Sequence, residues 1–213
     1  MKYKTYLFDM DGTVLDTAAD LAAAVNHTLE KYGFPPKTEQ EVVAATGNGA
    51  AVLVEKSLPA GRATPNFDAI LADYKAYYQA HTVVRTGPYP GIPELLTALR
   101  KQGARVAIVS NKPHGAAVEL GQRFFPGIPV FGESPDRPRK PAPDMVFHAL
   151  EELGADAEGA VYIGDSEVDA ATAANAGLPL IAVGWGFRTE RQLRDAGAAA
   201  IARAPADIAE ISR

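Results

Sequence analysis

Cysteine is absent from the chain of 213 residues, and histidine occurs only four times. The lack of cysteine excludes disulfide bonds, thiolate metal sites and a cysteine nucleophile. No uninterrupted apolar run approaches membrane-spanning length, and the N-terminus lacks a long apolar segment followed by a small-residue cleavage site. We therefore expect a soluble cytoplasmic protein.

Positive charge is scarce and scattered, apart from a short basic run at 137–140, and the net charge is −5. No broad basic face for nucleic acid is visible, so we expect neither a nucleic-acid nor a membrane partner. Hydrophobic residues make up 47% of the chain, which is enough for a buried core. A small-molecule ligand is the expected partner.

The most informative segment is Asp9-Met10-Asp11-Gly12-Thr13, which directly follows the apolar stretch Tyr6-Leu7-Phe8. Alternate residues of an extended backbone share a face, so both carboxylates can reach one cation, while Gly12 permits a tight turn. The alternative is a polar strand end capped by Asp and Thr. The segment indicates metal-assisted phosphoryl chemistry.

Three further polar clusters each follow an apolar segment that is typical of a strand. Strands of a parallel sheet bind ligands outside their carboxyl ends, so all four clusters are expected to converge on one crevice. The three clusters are Ser110-Asn111-Lys112 after residues 104–109, Lys140-Pro141 after residues 129–131, and Gly164-Asp165-Ser166 with Asp169 after residues 160–163.

These motifs, in this order and spacing, make the sequence similar to the haloacid dehalogenase superfamily along its whole length. The superfamily is characterised by an Asp-x-Asp motif, a Ser or Thr, a Lys and a terminal acidic pair. The resemblance implies an α/β core with a parallel sheet, described as Rossmann-like, and an inserted all-helical cap domain. It also implies a magnesium-dependent phosphatase.

Asp9 is the predicted nucleophile, because a carboxylate can form an aspartyl-phosphate that divides one hard step into two easier ones. Asp11 is expected to protonate the leaving oxygen and later to activate the water that attacks the aspartyl-phosphate. A phosphate monoester dianion repels nucleophiles, so a cation must neutralise charge while the nucleophile is held in line.

The expected cation is Mg²⁺, because the candidate ligands are hard carboxylate oxygens and no histidine lies at a candidate position. The resemblance implies that Asp9, the backbone carbonyl of Asp11 and Asp165 hold the ion. Asp169, supported by Ser166, is expected to hold a metal-bound water or to orient Lys140. The alternative for Asp169 is a helix-capping or exposed carboxylate.

The transferring phosphoryl oxygens are expected to bind Ser110 by hydrogen bond and Lys140 by charge. Thr13 and Asn111 belong to the same predicted phosphate-binding set, with backbone amides near Asn111 contributing at a helix start. Lys112 is predicted to face either the substrate tail or solvent.

Residues 16–83 show only helical periodicity, so we predict a cap there and a core formed by residues 1–15 and 84–213. Thr38 and Glu41 match a capping box. From Pro90 onward, strand and helix patterns alternate, as in a parallel sheet covered on both faces. The predicted helices are 114–124, 143–153 and 168–176, the last predicted strand before the C-terminal region is 178–183, and residues 196–206 are predicted as a short strand with turns.

Substrate choice is assigned to the cap, where Gly47 and Asn48 offer close backbone approach and amide donors, although an ordinary turn is the alternative. Within the superfamily the sequence most resembles the phosphoglycolate phosphatases, which implies 2-phosphoglycolate as the substrate. A sugar phosphomutase similar to β-phosphoglucomutase, a pyrophosphatase and an inactive binding protein stay open, whereas a dehalogenase would leave Asp11 and the late acidic pair unexplained. The oligomeric state is expected to be monomer or homodimer.

Overall fold

The computed structural model describes residues 2–135 and 137–212. The chain divides into two compact units, Met1–Asp16 with Pro88–Arg213 and Thr17–Gly87. The strands are β1 (Thr5–Phe8), β2 (Leu15–Asp16), β3 (Gly87–Pro88), β4 (Arg105–Pro113), β5 (Val130–Glu133), β6 (Ala160–Gly164), β7 (Leu180–Val183) and β8 (Ala200–Ala202).

Helices alternate with these strands in the first unit and form the second. They are α1 (Ala18–Lys31), α2 (Glu39–Ala45), α3 (Ala50–Ser57), α4 (Phe67–Ala80), α5 (Ile92–Lys101), α6 (His114–Phe124), α7 (Asp144–Glu152), α8 (Glu167–Asn175), α9 (Glu190–Asp195) and α10 (Pro205–Ile211). Short 3₁₀ helices occupy Gly61–Ala63 and Ala157–Gly159. No helix of the described chain is both long and apolar enough to cross a membrane.

The first unit contains a six-stranded sheet in the order β5-β4-β1-β6-β7-β8, with parallel pairing between neighbours. In this sheet, Phe8 at the end of β1 is in register with Ile108 of β4 and Ile163 of β6. The carboxyl ends of all three strands lie at the same edge of the sheet, so the polar residues at and beyond these ends lie together. The parallel α/β fold predicted from the sequence is confirmed.

The sheet is buried because helices cover it, and its strands are therefore apolar almost throughout. One core cluster includes Leu7, Ala107 and Tyr162 from the three central strands and Met145 and Ala149 from α7. This packing holds the strand ends rigidly beneath the polar residues.

The second unit is helical, and its core forms where α1 packs against α4. Leu21, Val25 and Leu29 are buried on α1, and Ile70 and Tyr74 are buried on α4. These spacings follow the helical period and explain why periodicity alone predicted the segment.

The capping box predicted for α2 is confirmed. The Thr38 hydroxyl accepts a hydrogen bond from Glu41 N, and the Glu41 carboxylate accepts one from Thr38 N at 2.8 Å. The two reciprocal bonds satisfy amides that the first helical turn leaves unpaired.

The structure corrects several predicted boundaries in the first unit. β4 continues through Ser110-Asn111-Lys112 to Pro113, and its register with β5 shifts between Ser110 and Pro113. The sequence pattern predicted that this strand ends at residue 109, because the irregular pairing beyond that point leaves no regular alternation in the sequence. The predicted strand 178–183 begins only at Leu180.

The C-terminal region contains two helices that the sequence interpretation missed. Residues 196–206 were predicted as a short strand with turns, yet α10 begins at Pro205, just after β8. The helix α9 begins after Thr189, whose side chain forms a capping box with Gln192. Both helices are shorter than two full turns, so they carry little periodic signal.

Candidate active site

Asp9 lies at the end of β1, with only 8% of its surface exposed. Its backbone N–H donates to the carbonyl oxygen of Ile163 at 2.8 Å, which continues the sheet one residue past the strand. The carboxylate lies 2.7 Å from Nζ of Lys140. The first predicted motif and the Lys140 motif are therefore in direct contact.

Asp9, Asp165 and Asp169 form a cluster of buried carboxylates in which one oxygen of each lies within 4.8 Å of the others. The three residues come from the segments that follow β1 and β6, which are adjacent strands. Like charges this close are unfavourable unless something compensates them. The cluster therefore requires positive charge or protons.

Lys140 supplies part of that positive charge. Its ammonium group lies 2.7 Å from Asp9 and 2.8 Å from Asp169, and only 2% of its side chain is exposed. It also donates a hydrogen bond to the hydroxyl of Tyr162 at 3.1 Å. A buried lysine with three oxygen partners is fixed in place rather than mobile.

Tyr162 is a site residue that the sequence motifs do not include, because it lies inside an apolar strand pattern that is typical of core. Its hydroxyl lies 3.4 Å from Asp169 and 3.1 Å from Lys140. The signal that could have indicated it is a tyrosine hydroxyl inside an otherwise apolar strand, two residues before Gly164 and therefore on the same side of β6.

The pKa values of the cluster reflect this crowding. Burial, followed by the charge of Asp169, raises the pKa of Asp9 well above its usual range, although Lys140 opposes the shift. Burial and Asp169 also raise the pKa of Asp165 to about 7. Burial alone would lower the pKa of Lys140, but Asp169 and Asp9 outweigh it and raise that pKa. One ammonium group does not fully balance these carboxylates.

Asp169 contacts Lys140, as one of its two predicted roles requires, and it also caps a helix, which was the alternative. Its Oδ1 contacts Lys140, while its Oδ2 accepts hydrogen bonds from Ser166 Oγ at 2.6 Å and from the backbone N–H of Asp165 at 3.2 Å. With Ser166 it also forms the capping box of α8. The helix start and the lysine are therefore held by the same carboxylate.

Asp165 is held by groups on both sides. Oδ1 accepts a hydrogen bond from Thr13 Oγ1 at 3.1 Å, and Oδ2 accepts one from Phe187 N at 2.7 Å. Gly12 has φ +77°, and a Cβ at that position would overlap the Asp165 carboxylate. Gly12 is therefore needed both for the turn and for the close approach of Asp165.

Asp11 lies beside Lys112 instead of joining the buried cluster, with 3.1 Å between Oδ1 and Nζ. Lys112 is only 5% exposed, so of its two predicted positions the one toward solvent is wrong, and the one toward the substrate tail stays a prediction. The sequence could not reveal this pair, because it depends on β4 lying beside β1.

Ser110 and Asn111 are buried at the end of β4. The Ser110 hydroxyl accepts a hydrogen bond from Lys112 N at 3.2 Å. The Asn111 amide donates to the carbonyl oxygen of Lys140 at 3.0 Å and accepts from Lys140 N at 2.7 Å. Asn111 thus fixes the backbone that carries Lys140, a role that the sequence did not suggest.

Gly47 and Asn48 belong to the other unit, in the turn between α2 and α3. Gly47 has φ +119° and Gly49, two residues later, has φ +80°, conformations that favour glycine. The turn therefore depends on its glycines, and a role for Gly47 and Asn48 in binding stays a prediction.

The buried carboxylates fit a divalent cation. Their donors are hard oxygens, no described cysteine or histidine joins them, and their negative charge exceeds what Lys140 supplies. Oxygen donors of this kind are the ligands that hard divalent cations take. Asp9 and Asp165 would hold such an ion, with Asp169 supporting them, and a ligand role for the backbone carbonyl of Asp11 stays a prediction.

Comparison with known proteins gives the family of the chain. The family described as haloacid dehalogenase-like hydrolase matches residues 6–183. The chain belongs to that family. The match extends over β1, β4, β5, β6 and β7 and so includes every motif of the candidate site in the first unit.

Curated relatives of similar length are phosphatases. A phosphoglycolate phosphatase from Cereibacter sphaeroides is 37% identical over 192 residues, covering 85% of each chain. An N-acetylmuramic acid 6-phosphate phosphatase from Pseudomonas aeruginosa is 34% identical over 190 residues, covering 88% of this chain and 84% of the relative. This family member is accordingly a phosphoric monoester hydrolase.

A solved structure extends the similarity to the whole fold. The crystal structure of a candidate phosphoglycolate phosphatase from Lactobacillus delbrueckii subsp. bulgaricus superposes with a TM-score of 0.95 at 36% identity. The alignment covers 100% of this chain and 99% of the other.

Proposed function

We propose that the protein is an Mg²⁺-dependent phosphatase that hydrolyses a small phosphate monoester, 2-phosphoglycolate, through an aspartyl-phosphate on Asp9. The observation that carries the proposal is the contact of Asp9 with Lys140 inside a buried carboxylate cluster. A nucleophile held beside a buried cation is what attack on a phosphate dianion requires.

The first half of the reaction forms a bond between an Asp9 oxygen and phosphorus while the bond from phosphorus to the ester oxygen breaks. Asp11 gives its proton to the departing oxygen, which leaves as the alcohol. Lys140 and Ser110 bind the phosphoryl oxygens and keep the phosphorus in line with Asp9. The product is the free alcohol and a phosphorylated Asp9.

The second half returns the enzyme to its starting state. Asp11 takes a proton from a water molecule, whose oxygen attacks phosphorus and displaces the Asp9 carboxylate as inorganic phosphate forms. The Lys112 ammonium holds the Asp11 carboxylate at 3.1 Å and so orients it for both proton transfers. A bound Mg²⁺ would neutralise charge on the phosphoryl group.

The catalytic residues act on the phosphoryl group alone, so the rest of the substrate is recognised elsewhere. We assign that recognition to Gly47 and Asn48, whose turn carries backbone amides suited to a small carboxylate. The phosphoglycolate phosphatases among the relatives support 2-phosphoglycolate as the substrate.

A sugar phosphate is the second candidate, because the relative that acts on N-acetylmuramic acid 6-phosphate is 34% identical, close to the phosphoglycolate phosphatases. Overall identity therefore does not separate the two substrates. A phosphomutase similar to β-phosphoglucomutase or a pyrophosphatase would use the same Asp9 and Lys140.

The deciding experiment measures phosphate release from 2-phosphoglycolate, N-acetylmuramic acid 6-phosphate, glucose phosphates and pyrophosphate, with Mg²⁺ or with a chelator. We expect 2-phosphoglycolate to give the highest kcat/KM, and both chelation and Asp9→Asn to reduce release by about 10³-fold or more. Asp156→Asn, at an exposed acid, is the matched control and should behave as wild type.

A higher kcat/KM for a sugar phosphate would replace the substrate but keep the mechanism. Release that is unaffected by Asp9→Asn would refute the aspartyl-phosphate. Isomerisation of a sugar phosphate without net phosphate release would identify a mutase.

A further inference from the structure

The loop between β7 and α9, residues 184–188, lies against the candidate cation site of the same unit. We refer to it as the β7 loop. It carries Phe187, whose backbone N–H donates to Oδ2 of Asp165 at 2.7 Å. A carboxylate oxygen can accept more than one bond, so this contact fixes the orientation of Asp165 and leaves oxygen lone pairs for a cation.

Gly186 allows the β7 loop to come this close. A Cβ on Gly186 would overlap both Cβ of Asp165 and the carbonyl oxygen of Gly12. The loop backbone therefore fits against Asp165 and the turn after β1 at once. Such close contact requires that the loop itself be held firmly.

Trp185 holds one side of the loop. Its indole Nε1 donates a hydrogen bond to the carbonyl oxygen of Thr13 at 3.1 Å. Thr13 in turn donates from its hydroxyl to Oδ1 of Asp165. The loop, Thr13 and Asp165 thus form a closed circuit of hydrogen bonds between two of the motifs.

Arg188 holds the other side. Its Nε and Nη2 atoms bind the two carboxylate oxygens of Glu167 at 2.8 and 3.0 Å. Arg188 is 6% exposed, and Glu167 is the first residue of α8, two positions after Asp165. A bidentate pair of this kind fixes direction as well as distance.

We propose that Trp185 and Arg188 are positioning residues, which hold the β7 loop so that Phe187 N–H and Gly186 fix Asp165 in the orientation that binds the divalent cation. This inference rests on the proposed function in that it takes the carboxylate cluster as a cation site. Neither side chain touches the reacting atoms. Trp185 acts on Asp165 through Thr13, and Arg188 acts on it through Glu167 and the loop backbone.

The test measures binding of Mn²⁺, a hard divalent substitute for Mg²⁺, to the full chain by the loss of the free-ion electron paramagnetic resonance signal. Trp185→Phe keeps an aromatic side chain and removes the indole donor, and Arg188→Met removes the bidentate pair. Each should weaken Mn²⁺ binding about tenfold. Arg191→Gln is the matched control, because Arg191 is 91% exposed on the neighbouring helix α9 and its ion pair lies on the surface.

A second readout separates positioning from general damage to the structure. The Mg²⁺ concentration that gives half-maximal phosphate release should rise about tenfold in both variants, while kcat at saturating Mg²⁺ stays within about threefold of wild type. Glu167→Gln, at a half-exposed partner, supplies the same test if Arg188→Met fails to fold.

The proposal is overturned if the folded variants Trp185→Phe and Arg188→Met bind Mn²⁺ as tightly as wild type. If Arg188→Met does not fold, Glu167→Gln takes its place in this comparison. It is also overturned if Arg191→Gln weakens binding equally. If the variants weaken Mn²⁺ binding but the wild type hydrolyses no phosphate ester, positioning is supported and the proposed function fails. If the wild type hydrolyses a phosphate ester but the variants bind Mn²⁺ as tightly as wild type, the proposed function is supported and the positioning role fails.

Discussion

At the scale of single residues, Lys140 shows how burial changes the effect of an ion pair. Its ammonium lies within 2.8 Å of both Asp9 and Asp169, and almost none of it is exposed. Removing one partner of such a pair leaves charge buried without compensation, which is costly even where the intact pair contributes little net stability.

We therefore expect Lys140→Met to lower the free energy of unfolding by about 3 kcal/mol, measured by urea denaturation at pH 7 with a chelator present. Lys31→Met is the matched control. Lys31 pairs with Asp73 at 2.6 Å, but 54% of its side chain is exposed, so its removal should cost much less. Equal losses in the two variants would contradict the argument from burial.

The residue scale also shows what the sequence could reveal about the site. Asp9, Asp165 and Lys140 were proposed because each follows a strand pattern, and the structure brings them together. The partner of Asp11 was not foreseen. Lys112 follows a different strand, and no local pattern indicates which side chains of two strands will meet.

At the scale of elements, the start of α1 is tied to the segment that leaves the helical unit. Asp20, 3% exposed, accepts hydrogen bonds from the backbone N–H groups of Val84, Arg85 and Thr86 at 2.9–3.0 Å and from the Thr86 hydroxyl at 2.8 Å. Burial alone would raise the pKa of Asp20, but these bonds outweigh it and lower the pKa.

Asp20→Asn should lower the free energy of unfolding at pH 7 by about 2 kcal/mol, because an amide replaces the charged acceptor of these bonds. The folded-state pKa is depressed, so the stabilisation is present above the unfolded value of about 3.9 and is lost as pH falls through the lower folded value. The difference between variant and wild type should therefore shrink in acid.

Urea denaturation of both proteins between pH 7 and pH 3 measures this difference. The exposed acid Asp68 supplies the control, and Asp68→Asn should change stability by no more than about 0.5 kcal/mol. A difference for Asp20→Asn that stays constant down to pH 3 would show that its charge is not the cause.

Elements also differed in how well the sequence indicated them. The helix α1 was predicted from apolar residues that recur with the helical period of about 3.6 residues. The capping box of α2 was predicted from a Thr followed three residues later by a Glu. The end of β4 was not, because its irregular pairing with β5 has no counterpart in the local pattern. The short helix α10 had too few turns to show a period.

At the scale of the whole molecule, the chain consists of an α/β unit that carries the catalytic motifs and a helical unit that carries Gly47 and Asn48. We propose that the first unit performs the chemistry and the second determines which ester is used. Changes in the helical unit should then affect selectivity more than the chemical step.

We propose that the side-chain amide of Asn48 binds the carboxylate together with the backbone amides of the turn. Asn48→Ala removes that side-chain donor and should reduce kcat/KM for 2-phosphoglycolate about tenfold. The kcat/KM for p-nitrophenyl phosphate, which lacks that carboxylate, should change less than about twofold. Gln79→Ala, at an exposed amide on α4, is the control. A parallel loss for both esters would argue against a role in selectivity.

The sequence by itself determined the alternation of strands and helices, the helical segment and the acidic and basic residues of the site, because these depend on local periodicity and on the residue types that phosphoryl transfer requires. The tertiary structure alone decided which charges meet. Lys112 reaches Asp11, Tyr162 reaches Lys140 and Phe187 reaches Asp165 only because of strand order and loop path. Those contacts join residues far apart in the chain, and their geometry depends on the packing of the whole sheet.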